Sequence, residues 1–295
     1  MTPAVRIGRW RVWLADTGGD EPRAQARMWL ALAERLAATA TVWHRSKHAV
    51  THRVLLDDED IYFKSYHRYR RRTDIKDMVR ASKARHVLRV SAALAVAGFS
   101  VPRVMAVAEE RYGPLLRGAW VATVALAGMP VAERIAALAH ERAGATHAMQ
   151  RRVLATKRSL LASLGATVGR LHACGFVAGD LVPANVWCLD ASPEGTIAFL
   201  DHDRTRAGSP PAPWVRARRN LVQLNRVVLA GVVTTDRLRV YRAYAAARGW
   251  SAATARRHLP WVVAKTIDRR RRFDGVQDAA ALGFRAVMRA PGSRA

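Results

Sequence analysis

The chain has 295 residues, half of them hydrophobic, with 49 Lys and Arg against 23 Asp and Glu for a formal net charge of +26. That length and apolar content exclude a disordered chain and allow one large domain or two smaller ones with real cores. The basic excess does not choose a partner by itself: it fits an ordinary basic surface, or an anion such as phosphate, acidic lipid or nucleic acid.

The opening stretch, MTPAVRIGRWRVWLADTGGD, interrupts every apolar run with charge and does not read as a secretory signal. Residues 20–38 carry Met28, Leu30, Leu32 and Leu36 at helical spacing, so residues 1–40 read as an N-terminal extension with a helix. Val50, Val54 and Leu56 mark a strand, the acidic cluster Asp57–Asp60 a turn, and IYFKSY (61–66) a second strand that holds Lys64. Residues 78–97 are good helix formers, and Gly98 reads as the C-cap. Pro102, the strand VMAVA, charged turn residues and the buried strand GAWVATVAL follow.

The second half reads as helical. KRSLLASLGATVGRLHACG (157–175) is amphipathic and stops at Gly175; Ile197 to Leu200 is a short apolar strand running into Asp201; from Trp214 onward helical periodicity returns. The tail after Arg289 reads as disordered. Two cysteines, Cys174 and Cys188, are too few for a disulfide framework and have no metal-binding spacing, so both read as buried fillers in a reducing cytoplasm. The longest uncharged stretch, Gly118 to Ala132, is shorter than the ~18–20 residues of a membrane span and contains Gly and Pro.

Phosphoryl transfer needs a cation for the nucleotide phosphates, oxygen ligands for Mg²⁺, and a carboxylate to orient and deprotonate the attacking hydroxyl. The chain holds these types in order: Lys64 in a strand, Asp180 and Asn185 in GDLVPAN, then Asp201 after IAFL. Taken singly each is weak, because an Asp and an Asn at that spacing commonly cap a turn and a strand Lys is commonly a solvated edge. As an ordered set they point to a kinase-like site.

These segments resemble the lipopolysaccharide kinase family, whose members phosphorylate heptose or Kdo sugars of the inner core. IYFKSY, ALAVAGFSVPRVMAV, AGDLVPANV, FLDHDRTR and RNLVQLNR carry the likeness, over residues 41–245. The resemblance implies an α+β, protein-kinase-like two-lobed fold. An antiparallel N-lobe sheet with one helix would occupy 41–125, a mainly α-helical C-lobe 126–290, and a disordered tail 291–295. It implies ATP and Mg²⁺ as cofactors. Lys64 would contact the α/β-phosphates, Asp180 would be the catalytic base, and Asn185 and Asp201 would hold the metal. Asp203 is a second metal-ligand candidate, with a turn carboxylate paired to Arg204 or Arg206 as the plainer alternative.

Three departures bear on activity. The family's loop histidine is Ala178 here. The helix glutamate that pairs with the strand lysine falls at Val87, and no acid lies between Met78 and Val107. The hairpin HRSKHAV (44–50) has no glycine cradle; Arg45 and Lys47 are candidate phosphate contacts, or simply an exposed basic turn. A catalytically weak pseudokinase that binds acidic glycolipid or membrane therefore stays open. So does an aminoglycoside-phosphotransferase-like small-molecule kinase, although a basic chain suits cationic substrates poorly.

His172, near a helix end, reads as a packing and capping residue. Most of the nine tryptophans read as core or groove lining. The runs 66–76 and 268–273 are strongly basic: either solvated faces, or attraction to an anionic membrane and an acidic glycolipid acceptor, at about 1 kcal/mol per cation near an anionic leaflet. No zinc-finger, RRM or KH signature occurs, so nucleic acid is not an expected partner. The expected location is cytoplasmic, peripheral on the inner membrane.

Overall fold

The computed structural model describes residues 4–15, 21–39, 41–66, 81–189, 195–229 and 231–273. The basic run after Tyr66, the start of the helix expected from residue 78, and the tail lie outside them. The chain divides into two compact units, Met1–Leu126 and Ala127–Ala295.

The first unit is an antiparallel sheet of, among the described residues, seven strands. They are β1 (Val5–Ile7), β2 (Trp10–Leu14), β3 (His44–Arg45), β4 (Ala49–Leu56), β5 (Glu59–Tyr66), β6 (Val104–Tyr112) and β7 (Leu115–Val124), in the spatial order β1-β2-β6-β7-β5-β4-β3. Alternation sorts each strand between two faces. On one face Val12, Leu14, Phe63, Ala108 and Trp120 pack under helix α1 (Pro22–Ala37) through Trp29, Leu32 and Leu36. On the other, Trp13, Val107, Ala119 and Val121 pack with Ala84 and Val87 of helix α2 (Lys83–Val96).

β1, β2 and α1, all from the stretch read as an extension, are thus built into this unit. β2 pairs with β6 from Trp10↔Glu110 to Leu14↔Ala106, an edge that the interleaved arginines hide in the sequence. The acidic turn is narrower than expected. Asp57 and Asp58, both at positive φ, form a two-residue hairpin loop, and Asp60 sits inside β5, ion-paired to Arg53 at 2.6 Å. The charged residues after VMAVA are strand too, and the turn falls at Gly113 and Pro114.

The second unit is mainly helical: α3 (Val131–Ala143), α4 (His147–Ala173), α5 (Trp214–Arg226), α6 (Thr234–Ala247) and α7 (Ala252–Phe273). α4 starts ten residues earlier than its amphipathic pattern indicated, capped by the Thr146 side chain on the Met149 N–H. It buries Leu160, Leu161, Leu164, Val168 and Leu171. Gly165 and Gly169 let α6 approach at backbone distance: a Cβ on Gly165 would lie 2.2 Å from the Val240 carbonyl oxygen. Cys188 is buried as expected, whereas Cys174, at the C-cap of α4 where the chain turns outward, is exposed. Among the described residues no helix is long and apolar enough to cross a membrane.

Candidate active site

Two small sheets in the second unit place the acidic and amide residues. β9 (Phe176–Val177) pairs with β12 (Arg206–Ala207), while β10 (Val186–Cys188) pairs with β11 (Ile197–Phe199) and with β8 (Met129–Pro130). The segment from β9 to β10 is the loop of Asp180 and Asn185. The segment from β11 to β12 holds Asp201 and Asp203.

Antiparallel register brings these segments to the same end of the β10–β11 hairpin. Val186 stands opposite Phe199, and one step further the Leu200 N–H donates to the Asn185 carbonyl at 2.9 Å. Asp201 is the next residue. Its φ of 56° and ψ of 71° lie in the left-handed region, which turns the chain sharply into a short 3₁₀ turn, His202–Arg204. Within the loop, the Asn185 side-chain amide donates to the Asp180 carbonyl at 3.1 Å. The Asp180 carboxyl is pushed above the ordinary carboxylate range, mainly by burial and then by the nearby charge of Asp201; Arg226 and Arg204 pull against this. Asp180, Asn185 and Asp201 therefore converge. Asp203 lies in the turn just beyond, half-buried.

Four residues that the motif did not single out hold the loop. Asn220, buried on α5, grips the backbone of Ala178 from both sides: its Oδ1 accepts the Ala178 N–H at 2.9 Å and its Nδ2 donates to the Ala178 carbonyl at 2.8 Å. One turn on, Gln223 Nε2 donates to the Asp180 Oδ1 at 3.1 Å, and Gln223 Oε1 accepts from Leu181 N–H and from Asn220. His172 Nε2 donates to Asn220 Oδ1 at 3.0 Å, and its Nδ1 accepts from the Tyr244 hydroxyl. A carboxamide oxygen only accepts, so the proton sits on Nε2. Asn220 thus anchors the backbone at Ala178, the position where the resemblance expected a histidine.

The two loops are also tied to each other. The Gly179 N–H donates to Thr205 Oγ1, which meets His202 Nδ1, while His202 Nε2 donates to the Phe199 carbonyl at 3.0 Å. Gly179 is required by proximity: a Cβ there would lie 2.3 Å from the Cβ of Arg204. Two carboxylates and an amide oxygen are hard donors of the kind Mg²⁺ takes. The mutual repulsion of Asp180 and Asp201 is what a cation at this point would relieve.

The other candidates belong to the first unit. Lys64 stands opposite Val121, which places it on the α2 face of the sheet, with its Nζ 5.6 Å from the Tyr66 ring centroid. Val87 is packed in the apolar cluster of that face, so the helix has no room there for a carboxylate. An acid does lie on the same face, two strands away: Glu109, 1% exposed. It accepts the Ser82 N–H at 2.8 Å at the start of α2 and pairs with Arg111 at 3.1 Å. Burial opposes its ionisation, but those hydrogen bonds outweigh it and hold the carboxyl below its usual range. Arg45 and Lys47 are exposed on the β3–β4 hairpin. Ser46 closes that turn, its Oγ accepting the N–H groups of His48 and Ala49.

The model of the lipopolysaccharide kinase (Kdo/WaaP) family matches residues 34–244. No curated protein matches the chain by sequence. Among solved structures, one described as WaaP in complex with acyl carrier protein is 18% identical, with a TM-score of 0.62, covering 88% of this chain and 98% of its own. A Stt7 homolog from Micromonas algae, soaked with ATP, is 17% identical with a TM-score of 0.39, covering 82% and 81%.

Proposed function

Because the chain belongs to the lipopolysaccharide kinase (Kdo/WaaP) family and has a kinase-like fold, we propose that it transfers the γ-phosphoryl group of ATP to a sugar hydroxyl of lipopolysaccharide inner core, a heptose or Kdo. The observation that carries this reading is the convergence of Asp180, Asn185 and Asp201 on one end of the β10–β11 hairpin, with Gln223 fixing the Asp180 carboxyl.

Asp180 accepts the hydroxyl proton as the acceptor oxygen bonds to the γ-phosphorus; the bond to the β–γ bridging oxygen breaks and ADP leaves. Asn185 and Asp201 would hold Mg²⁺, with Asp203 as a further ligand. When bound, the metal supplies charge neutralisation for the phosphates. Lys64 supplies a cation for the α/β-phosphates, and Arg45 and Lys47 add charge from the hairpin. The work would take place on the cytoplasmic face of the inner membrane. Val87 and Ala178 depart from the family pattern without removing any group from this scheme, which favours an active enzyme over a pseudokinase.

A thermal-shift titration tests the nucleotide half. Mg·ATP should raise the unfolding midpoint of the wild type, Lys64→Ala should need about tenfold more nucleotide for the same shift, and Asp201→Ala should lose the magnesium dependence. A wild type that does not respond to Mg·ATP contradicts the proposal.

A second partner, an acyl carrier protein, is favoured by one observation besides that complex. The second unit has a half-open, mostly apolar pocket of about 180 Å³ lined by Ile135, Leu161, Leu164, Leu221 and Val262, of a character suited to an acyl chain.

A further inference from the structure

The second unit has a concave surface that phosphoryl transfer itself does not use. A cleft of about 630 Å³ lies between the Asp180 loop, β12, α5 and the C-terminal half of α7. Among the described residues, seven arginines and Lys265 line it, and no Asp or Glu does. Its floor includes Ala178, Gly179 and Gln223, whose amide holds the Asp180 carboxylate at 3.1 Å. The cleft is therefore immediately beside the proposed base.

A basic protein scatters cations over its surface, where water screens them. Cations gathered in a hollow repel one another and destabilise the fold, because low-dielectric walls focus their field. Arg218 lies with its guanidinium carbon 4.0 Å from the Trp261 ring centroid. Stacking fixes the plane and leaves the in-plane donors for another partner. At the rim Asp268 pairs with Lys265 at 2.6 Å and with Arg272, so one acid offsets part of the charge. The arginines of α5 and β12 remain the dominant feature.

We propose that this cleft binds the acceptor through anionic groups on the saccharide, phosphomonoesters or carboxylates, and so sets its hydroxyl against Asp180. The inference rests on the kinase reading of Asp180 and adds the place where the acceptor's anionic groups are held, by bidentate arginines of this cleft. Neutral sugars of the same size are poor acceptors.

The test is isothermal titration with a deacylated inner-core oligosaccharide, and with the same oligosaccharide after dephosphorylation and carboxyl reduction. The variant is Arg216→Gln/Arg219→Gln/Arg269→Gln, three exposed positions on α5 and α7. The wild type should bind the charged probe at least about tenfold more tightly than the neutral one, and the variant should lose about that factor. The matching Arg→Lys variant keeps the charge and should fall between them, which guards against a folding defect. Equal affinity for the two probes, or an unchanged Kd in the glutamine variant, overturns the proposal. So does arginine-dependent binding to phosphatidylglycerol vesicles with no binding of the soluble probe, which would make this a membrane surface. Asp201→Ala should bind the charged probe within about threefold of wild type. Arginine-dependent probe binding by a protein that does not bind Mg·ATP supports the cleft and ends the kinase reading. Turnover of neutral and charged acceptors at equal rates ends the cleft and leaves the kinase reading standing.

Discussion

Asp180 works in a setting that resists its own ionisation, and the side chains around it share that character. His172 is buried with its pKa lowered to about 4, chiefly by burial, with Arg248 adding to the effect and the Asn220 hydrogen bond opposing it. An unfolded histidine titrates near 6.5. Above that value both states are neutral. As pH falls from about 6.5 toward 4, the unfolded chain takes up a proton that the folded one does not, so up to about 3 kcal/mol of stability is lost across that window. Urea unfolding of the wild type should show this loss between pH 7 and 4.5, and His172→Gln should flatten it; an identical slope in the variant contradicts the assignment. At this scale the sequence was half legible. Asp180, Asn185 and Asp201 stood out because their order and spacing are local. Asn220, Gln223 and Thr205 act on the loop from 26 to 43 residues away, and only the fold shows which backbone groups they meet. His172 was read as packing and capping; it is buried, but its ring bonds Tyr244 and Asn220 and so ties it to the loop rather than to the helix end.

Among elements, the contact of α4 with α6 sets the floor under the Asp180 loop, since His172 and Tyr244 come one from each helix. That contact depends on small residues. Gly165→Ala would drive a methyl group to 2.2 Å from the Val240 carbonyl oxygen, and the resulting shift should destabilise the protein by about 2 kcal/mol. Gly144→Ala, where an added Cβ meets nothing within 4 Å, is the control and should unfold within about 0.5 kcal/mol of wild type in the same denaturation series. A pair of variants with equal stability would show that α4 and α6 have slack. Elements with long periodic patterns, such as α4 and α7, were legible. β1 and β2 were not, because Arg6 and Arg11 on their exposed side and Arg9 in the turn between them break the apolar run. Only the pairing of β2 with the distant β6, and of β1 with β2, makes them strands. Val87 marks the opposite case. The missing acid was visible, but not that the position had become core, nor that Glu109 caps α2 from β6.

For the whole molecule, the ordered motif set was enough to anticipate both the kinase-like fold and the family, whose model matches 34–244 against the expected 41–245. Net charge carried less. A formal +26 named an anion without saying where it binds, because position is a property of the folded surface; the fold gathers seven arginines beside Asp180. The central claim is that Asp180 is the proton acceptor in phosphoryl transfer to a sugar. It is tested most directly by mass spectrometry of inner-core oligosaccharide incubated with Mg·ATP and either wild type or Asp180→Asn. The wild type should add a phosphoryl group. Asp180→Asn, which keeps a carbonyl oxygen for Gln223, should turn over about 10³-fold more slowly at nearly unchanged Mg·ATP affinity. Product formed by Asp180→Asn at the wild-type rate would contradict the account.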